Sequence, residues 1–596
     1  MKKILITLIA LNLILATLTL NQFLTITYMN SQQHQNNIIK SYLMANYGVS
    51  SIDELIQKKL EEYGLHYTGN PFTTALYPGQ LQAENITGMH WYTYLSGALQ
   101  NRTDVIAYPS QPARFIVENV SGTIVWKDGT NGTVYETGTT STEAANLINW
   151  ALGNLTSGRA WKEKVVLKGD FNVNSKIIIP NYVYFDLSSA RLVLNVNETL
   201  LEVGSYCTIE GGELDGNRAS YSGYGINITG SQTVVKNVKV KDFEYWGIII
   251  DGGVNNRIEN CYVENCKHGF HLINHASVNQ LVNCQAVKND ERGFSIYEGR
   301  SNIIDGCIGD RNGLFNFLIQ GSSTYTSERN VISNCIALGD SGSTGAQAGI
   351  AIHSYCHRNE VVGCLVAFNW DNGIEIYVSS GVATTNHQNI VIGNICYKNG
   401  YAGIILRQAR YSIVANNLCV SNGQRETEPA TYPHRASGIS LVADSGYEST
   451  RNKIINNKCF DDGANTQYAG IYEASNCDRN YITENDVESN TDVAIYKTGA
   501  NSVVKRNIGF VTENSGTTTV ANGEYIAHGI DSSLNIGQGN SSVLITEYTK
   551  VYDGVPVTVG CDYVNATHFR VAVYWTNGTA VTDDAIQIWW KVEYQP

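Results

Sequence analysis

Hydrophobic and polar positions recur in a fixed order through the middle of this chain. A short hydrophobic anchor returns at intervals of 23, 23, 23, 28, 29, 30, 23, 40, 28 and 22 residues. The anchors open at Val235, Ile258, Leu281, Ile304, Ile332, Val361, Val391, Val414, Ile454, Ile482 and Val504. A base period of 22–23 residues with insertions is typical of a solenoid in which each repeat forms one coil. We therefore expect parallel strands stacked coil upon coil over residues 165–510.

A second strand follows a glycine in most coils. The glycines are Gly247, Gly269, Gly293, Gly349, Gly373, Gly403 and Gly438. The first and third residues after each of them are Ile, Leu or Phe, whereas the second residue varies. This period of two predicts a strand with one face in the core and the other face turned outward to solvent.

Like side chains repeat at single positions of the coil. One column holds Cys261, Cys284, Cys307, Cys335 and Cys364, followed by Asn394, Asn417, Asn457, Asn485 and Asn507. A second cysteine column holds Cys396, Cys419 and Cys459, and a second asparagine column holds Asn256, Asn279, Asn302, Asn330, Asn359, Asn389, Asn452 and Asn480. Strands stacked about 4.8 Å apart predict ladders of hydrogen-bonded amides. Parallel thiols do not converge as a disulfide requires, so we expect buried free cysteines and no structural zinc.

The motifs before the coils resemble the right-handed parallel β-helix of the pectate-lyase superfamily. They are Trp126-Lys127-Asp128-Gly129, a helix expected over Thr142 to Leu155, Val165-Val-Leu-Lys-Gly, Ile177-Ile-Ile-Pro and Ile209-Glu-Gly-Gly-Glu-Leu-Asp-Gly-Asn217. The resemblance covers about residues 112–510 and implies an all-β, single-stranded right-handed parallel β-helix. Because the superfamily includes phage-type tailspikes and surface proteins, the resemblance also implies a glycan ligand on an outer face, a possible homotrimer, and Ca²⁺ as a cofactor of some members.

The flanks predict further segments. Two lysines precede an uncharged hydrophobic stretch, Ile4 to Leu20, so residues 1–29 are expected to be an uncleaved signal-anchor, with a cleaved signal peptide as the alternative. Residues 30–111 hold a helical pattern expected to form a stalk or a locally packed helix, and residues 112–164 are expected to start the β-helix with a capping helix. In residues 511–596, short segments alternate between hydrophobic and polar residues as in the strands of a β-sandwich. This C-terminal module is expected to trimerise, bind glycans or cap the solenoid.

The charge balance excludes one class of partner. The 596 residues include 41 basic and 54 acidic side chains, a formal net charge of −13. Nucleic-acid binding needs clustered Lys and Arg, so we expect no nucleic-acid partner. Glycosylation sequons instead favour export to an extracellular, cell-surface or virion-surface location. They lie at Asn85, Asn101, Asn119, Asn131, Asn154, Asn197, Asn227, Asn540, Asn565 and Asn577.

The outward column of the second strand is the candidate ligand face. Its candidate glycan-binding residues are Tyr297, Gln320, Tyr377 and Trp370, because aromatic faces suit sugars. As an acid/base site, Glu375 or Asp371 would donate or accept a proton, with His353 or Arg407 as partner. The structural alternative is an ordinary surface ion pair between Glu375 and Arg407. Loops at 321–329, 378–388 and 424–437 are expected to wall this face.

Two functions remain open on the sequence. One is an exported, surface-anchored spike or adhesin-type protein that binds polysaccharide along the outer face of the rod and contacts a membrane through its N-terminal segment. The other is a polysaccharide lyase or glycoside hydrolase with an atypical acidic site. The motif series of polygalacturonase-type sites is incomplete, and the calcium cluster of pectate lyases is not recognisable. We therefore expect no cofactor, and Ca²⁺ enters only through the family resemblance.

Overall fold

The computed structural model describes most of the chain from residue 113 onward. The described ranges are 113–139, 141–339, 348–378, 386–444, 446–530, 541–547, 551–552, 555–575, 579–580 and 586–594, with the paired two-residue strands His66–Tyr67 and Leu76–Tyr77. They fall into two compact units, one ending at Asp371 and one beginning at Asn372. The predicted signal or anchor segment, residues 1–29, lies outside these ranges, as does most of the predicted stalk. Within them, no helix has the length and hydrophobicity needed to cross a membrane.

The first unit opens with a small antiparallel sheet and a capping helix. The sheet strands are Phe115–Val120, Thr123–Asp128 and Val134–Gly138, and the helix spans Ser141–Gly153, close to the predicted range. The helix buries one hydrophobic face, on which Ala144, Ile148 and Ala151 have no exposed surface. The helix therefore covers the end of the core, which an open stack of coils would otherwise expose to water.

Three parallel sheets build the coils of the first unit. Sheets A and B begin at the long strands Glu163–Val173 and Val183–Leu194. Sheet A continues with Thr208–Glu210, Val234–Lys236, Arg257–Glu259, Gln280–Val282, Ile303–Asp305, Val331–Ser333 and Glu360–Val362, and sheet B with Glu213–Asp215, Lys239–Lys241, Tyr262–Glu264, Gln285–Val287, Ile308–Asp310, Ile336–Leu338 and Leu365–Ala367. Sheet C, the predicted second strand, comprises Ile177–Ile179, Leu201–Val203, Ile226–Ile228, Trp246–Asp251, His268–Ile273, Arg292–Tyr297, Phe315–Gln320 and Ala348–Ile352. A short sheet D, absent from the sequence-based prediction, holds Ser327–Glu328 and Cys356–His357.

The second unit contains the same kinds of sheet. Sheet A holds Ile390–Ile392, Ile413–Ala415, Lys453–Ile455, Tyr481–Thr483 and Val503–Lys505, and sheet B holds Ile395–Tyr397, Leu418–Val420 and Lys458–Phe460. Sheet C holds Ile374–Tyr377, Ile404–Arg407, Ser437–Val442, Ala469–Glu473 and Val493–Lys497, and sheet D holds Asn386–His387, Ala409–Arg410, Ser449–Thr450 and Cys477–Asp478. A single turn of 3₁₀ helix, Pro433–Arg435, precedes the third strand of sheet C.

The C-terminal segment forms two antiparallel sheets instead of coils. One consists of Glu513–Val520, Ser541–Glu547 and Ile586–Tyr594. The other consists of Tyr525–Ala527, Val551–Tyr552, Val555–Val564 and His568–Trp575. The change from parallel to antiparallel pairing after residue 510 agrees with the predicted end of the coils.

The corner between sheets A and B explains why small and amide residues recur there. The third anchor residue adopts the left-handed backbone conformation, with φ of 53° at Asn260, 52° at Asn283 and 63° at Gly306. Only Gly and, to a lesser degree, Asn and Asp adopt this conformation at low cost. The left-handed position is therefore one residue before the cysteine column, and not in the asparagine column that forms the ladder.

The predicted columns of like side chains are confirmed inside the coils. In the first unit, Asn279 donates from Nδ2 to Asn302 Oδ1 at 3.0 Å, and Asn302 donates in the same way to Asn330 Oδ1 at 3.1 Å. In the second unit, the amides of Asn457 and Asn485 pair at 3.0 Å. All 13 cysteines are free, and every one except Cys561 is buried. The thiols thus fill the core, as the columns predict, and form no disulfides.

One sequence-based prediction about sheet C is wrong. The variable second residue after each glycine was expected on an open outer face, but it is buried in both units. The exposed fractions are 4% for Ile249, 5% for His271, 1% for Ser295 and 0% for Ala351 in the first unit, and 5% for Glu375, 7% for Ile405 and 0% for Ser440 in the second. Bulky side chains from the preceding turns and loops fold over this face, so that only part of it reaches solvent.

Candidate functional site

Three predicted site residues of the first unit lie at the C-terminal end of sheet C strands. Tyr297 pairs in register with Gln320, and Ile319 pairs with Ile352, which precedes His353. Tyr297, Gln320 and His353 therefore follow one another on successive coils. The ring of His353 packs edge-on against Phe315, with centroids 5.0 Å apart. Trp370 and Asp371 are half-buried in the turn that ends this unit. The roles given to these five residues remain predictions.

The predicted site residues of the second unit separate into two environments. Arg407 donates to the hydroxyl of Tyr377 at 2.7 Å, lies 4.8 Å from the centre of its ring and forms an ion pair with Asp444. Glu375 is 5% exposed and accepts a hydrogen bond from Asn372 Nδ2 at 3.2 Å. In the strand register Glu375 faces Ile405, and it is Tyr377 that faces Arg407. Tyr377 and Arg407 are therefore brought together, while Glu375 lies deeper on the same strand.

One of the three predicted wall loops packs on sheet C of the second unit. In residues 424–437, the backbone carbonyl of His434 accepts a hydrogen bond from Ser440 Oγ at 2.6 Å, and the His434 ring lies 5.9 Å from that of Tyr472. Residues 321–329 supply a strand of sheet D, with Tyr325 against His275. In the third loop, residues 379–385 lie outside the described ranges.

The densest group of aromatic side chains lies on the outer face of sheet C in the first unit. We call it the aromatic platform, and it consists of Tyr224, Tyr245, Trp246, His268 and His271. Ring centroids are 4.7 Å apart for Tyr224 and Trp246, 5.9 Å for Trp246 and His268, and 5.5 Å for Trp246 and His271, with near-parallel planes. Tyr245 is 38% exposed at the edge of the group. The stacked rings cover one another's faces, and His268 and His271 are buried, so the platform presents mainly the outer edges of Tyr224, Tyr245 and Trp246.

The electrostatics of the platform are those of a desolvated surface. Burial lowers the pKa of His268 to about 3, and burial also lowers the pKa of His271 well below its usual range. Both imidazoles are consequently neutral at neutral pH. Trp246 Nε1 and His268 Nδ1 are buried and have no hydrogen-bond partner among the described residues. Such nitrogens are costly to leave unsatisfied, and bound water or a ligand oxygen would satisfy them.

A polar groove lies beside the platform on the same turns. It has a volume of about 560 Å³ and is lined by Asp215, Asn217, Arg218, Ala219, Asp242, Glu244 and Asn265. Arg218 forms ion pairs with Glu244, at 2.8 Å, and with Asp290. Since Glu244 immediately precedes Tyr245, the groove and the platform adjoin. A stacked aromatic surface next to a hydrogen-bonding groove can bind an extended molecule that has both apolar faces and hydroxyl groups.

A second aromatic stack occurs in the second unit. Tyr472 and Tyr496 are paired in register in sheet C, and their rings are stacked with centroids 5.1 Å apart. They occupy the column of Glu375, Ile405 and Ser440. Sequence reasoning missed them although the signal was present, because Gly470 precedes Ile471 and Tyr472 as in the earlier coils. The platform was also missed, since Trp246 and His268 precede the glycine and lie outside the predicted strand.

No group of three or more His, Cys, Asp or Glu side chains in the described part of the chain could hold a metal ion. The described residues thus do not fit the Ca²⁺ that the family resemblance implies. Among the sequon asparagines, three are exposed and three are half-buried, and the other four lie outside the described ranges. The exposed ones are Asn131, Asn154 and Asn197, the half-buried ones Asn119, Asn227 and Asn565, and the remainder Asn85, Asn101, Asn540 and Asn577.

Comparison with known proteins agrees with this fold. A family model described as a right-handed β-helix region matches residues 224–389. The tail spike protein of Salmonella phage epsilon15 is 25% identical over 268 residues, which are 41% of this chain and 23% of that protein. The chain therefore spans about a quarter of the length of this curated relative.

Several solved structures are similar at low identity. The Dettilon tailspike protein is 16% identical with a TM-score of 0.47, covering 75% of this chain and 91% of that one. The A-module of a mannuronan C-5 epimerase from Azotobacter vinelandii is 14% identical with a TM-score of 0.45, covering 61% and 94%. A tailspike protein of E. coli bacteriophage HK620, solved in complex with a pentasaccharide, is 12% identical with a TM-score of 0.45, covering 78% and 92%.

Proposed function

We propose that this chain, a right-handed parallel β-helix of the pectate-lyase-like type, is an exported spike that binds a polysaccharide along the outer face of sheet C in its first unit. The observation that carries the proposal is the aromatic platform, with Tyr224, Trp246 and His268 stacked on successive coils. Strands repeat about every 4.8 Å, so an extended sugar chain running up the sheet would meet the outer edges of Tyr224, Tyr245 and Trp246 on neighbouring coils. The adjoining groove supplies carboxylate, amide and guanidinium groups for its hydroxyls.

The curated relative supports the spike over other binding roles. It is a tail spike protein of a phage, and the matched region amounts to 41% of this chain. A spike on a virion or cell surface meets envelope polysaccharides first, which suits a glycan-binding outer face. The same relative favours an extracellular or virion-surface location for this chain.

The flanking segments extend the proposal. Residues 1–29 would act as a signal-anchor or signal peptide, and residues 511–596 would pack as a β-sandwich that trimerises the rod or binds glycan. The exposed sequon asparagines would carry glycans if the host glycosylates exported proteins. Light scattering of the purified chain tests the trimer, and a mass near 65.5 kDa would show a monomer instead. Fractionation of producing cells tests the anchor.

The enzymatic alternative rests on the second unit. Glu375 is a carboxylate shielded on the outer face of sheet C, two residues before Tyr377, which contacts Arg407. A shielded carboxylate can serve as general acid or base for glycosidic bond cleavage. In this alternative Glu375 would transfer the proton and Arg407 would assist, whereas the roles expected for Asp371 and His353 of the first unit remain sequence-based predictions.

A polysaccharide panel separates these functions. The full chain is incubated with acidic and neutral polysaccharides, and both retention on the polysaccharide and release of reducing ends or unsaturated products are measured. Trp246→Ala is expected to weaken binding about tenfold or more through lost stacking, whereas Trp161→Ala, an exposed tryptophan outside sheet C, leaves it unchanged.

The outcomes are distinct. Binding without product release supports the spike, and product release that disappears in Glu375→Gln supports the enzyme. If no polysaccharide binds, or if Trp246→Ala binds like the unmodified chain, the proposed glycan face is wrong.

A further inference from the structure

A carboxyl group interrupts the apolar interior of the second unit. Ile376, Leu406 and Leu441 precede Glu473 in register on successive strands of sheet C, and all four side chains have no exposed surface. The inward position that holds an aliphatic side chain in three coils therefore holds an ionisable one in the fourth. A charged carboxylate in a protein core is costly unless donors or a cation compensate it. The contacts of Glu473 therefore decide in which protonation state the last coils close.

One oxygen of this carboxyl group has two donors, and the other oxygen has none. Oε1 of Glu473 accepts hydrogen bonds from Asn480 Nδ2 at 2.9 Å and from Ser502 Oγ at 2.6 Å. Oε2 is buried without a hydrogen-bond partner among the described residues. A carboxylate needs donors or water at both oxygens, whereas a neutral carboxyl group loses less when water is excluded. The surroundings therefore favour the protonated form of Glu473.

The charged groups around Glu473 do not offset its burial. Burial raises the pKa of this carboxyl group, and this effect outweighs the two hydrogen bonds and the opposite influence of Lys497, which is next in register. Asp478 raises the pKa of Glu473 further. Cys477 is also near, but burial raises the pKa of its thiol, which therefore carries no charge. The preceding strand presents only the apolar Leu441 to this position.

The turn of the last coil lies directly over Oε2. Within residues 498–502, the backbone N–H and the hydroxyl of Thr498 donate to the carbonyl of Glu473 at 3.0 and 2.9 Å, and Ser502 donates to its Oε1. A Cβ at Gly499 would lie 2.6 Å from Glu473 Cδ and 2.8 Å from Oε2, so the turn leaves no space for water beside this oxygen. An ionised Glu473 would need water at Oε2, and lifting of the turn would admit it.

We infer that residues 498–502 form a pH-sensitive strap, which is closed over neutral Glu473 and lifts when Glu473 ionises. Because the folded chain holds the proton more tightly than the unfolded chain, the stability from this group is complete below the ordinary carboxyl pKa of 4.5. It is lost as the pH rises through the raised pKa. The strand Val503–Lys505 follows the strap, and the C-terminal sheets begin soon afterwards at Glu513. Lifting of the strap would therefore loosen the coil that leads into those sheets, independently of the proposed glycan face.

Hydrogen exchange of the full chain at two pH values tests the strap. The amides of Ala500 and Val503 donate to carbonyls of the preceding coil, so their exchange rates report its opening. After correction for intrinsic exchange, we expect both amides to exchange several-fold faster at about pH 8 than at about pH 4.5. Glu473→Gln stays neutral and should exchange slowly at both pH values. Infrared spectra of the unmodified chain should also show a protonated carboxyl band that Glu473→Gln lacks.

Controls separate the strap from a general effect of pH. Glu484→Gln removes an exposed carboxylate that pairs with Arg506 and should keep the pH response of the unmodified chain. Glu473→Leu restores the aliphatic column and should remove the response, so the test does not depend on one variant. Equal corrected exchange at both pH values in the unmodified chain, or a response that Glu473→Gln or Glu473→Leu retains, would overturn the inference. If neither variant folds, the exchange and infrared measurements on the unmodified chain still decide.

Discussion

Replacement of Asn302 by alanine is the sharpest test of the coil interior. Asn302 has no exposed surface. Its Oδ1 accepts from the backbone N–H and from Nδ2 of Asn279, both at 3.0 Å, and its Nδ2 donates to the carbonyl of Ala276 at 2.8 Å and to Asn330 Oδ1 at 3.1 Å. One side chain thus satisfies polar groups on the coils before and after it.

The expected loss follows from the groups left without partners. In Asn302→Ala the backbone N–H of Asn279 loses its acceptor inside the core, which costs about 1–3 kcal/mol. Asn279 Nδ2 keeps its hydrogen bond to the carbonyl of Gly253. The loss of its hydrogen bond to Asn302, together with the loss of the bond from Asn302 to the Ala276 carbonyl, therefore adds only about 1 kcal/mol. We expect the free energy of unfolding to fall by about 2–4 kcal/mol.

Urea denaturation followed by circular dichroism measures this change. The matched control is Gln285→Ala, which removes a half-buried amide from sheet B of the same unit and should change stability by less than about 0.5 kcal/mol. Native-state hydrogen exchange adds a local reading, because the Asn279 amide should lose protection in Asn302→Ala. If the two variants have equal stability and equal protection at Asn279, the ladder is not a structural element of the fold.

Three further predictions concern the core, acid stability and thiols. Phe294 is fully buried between Phe270 and Phe317 at 4.8 Å centroid spacing, so Phe294→Ala should cost about 3–5 kcal/mol in urea denaturation, and Tyr297→Ala on the same strand should cost much less. Because the pKa of His268 is lowered in the folded chain, the unfolded chain binds the proton more tightly. The stability that depends on this group is therefore complete above about pH 6.5 and is lost as the pH falls toward 3. His268→Gln should reduce the difference in unfolding free energy between pH 7.5 and pH 5 by about 1–2 kcal/mol, and an unchanged difference would contradict the burial of this ring. Ellman's reagent should react rapidly with one thiol, Cys561, in the native chain and with all 13 after denaturation, and several fast thiols in the native chain would refute the buried columns.

The sequence predicts the coil interior because its signals are local and repeated. In most coils the inward residues of sheet C follow a glycine in the same order, and each amide ladder places Asn at one position of several successive coils. A Cβ at Gly269 would lie 2.5 Å from the carbonyl of Gly293 on the next coil, which explains why the small residue recurs. Repetition of this kind is visible without any three-dimensional information.

The outer face could not be predicted in the same way. Trp246 and Phe315 are the first residues of their sheet C strands, before the repeated hydrophobic segment, and they pack over His271 and Leu318 through contacts that the period does not encode. Likewise, residues 424–437 are an insertion without periodicity, yet Ser440 donates to one of their carbonyls. Burial of Glu375 depends on such tertiary packing, and therefore the sequence placed it on an open surface.

The central claim is that the outer face of sheet C in the first unit binds a glycan at the aromatic platform. A crystal structure of the chain with the most tightly bound oligosaccharide of the panel tests it most directly. We expect the sugar chain to contact Tyr224, Tyr245 and Trp246, with its hydroxyls about 2.7–3.2 Å from polar side chains of the adjoining groove. An oligosaccharide bound instead at the Tyr472 and Tyr496 stack, or at the C-terminal sheets, with the platform empty, would contradict it.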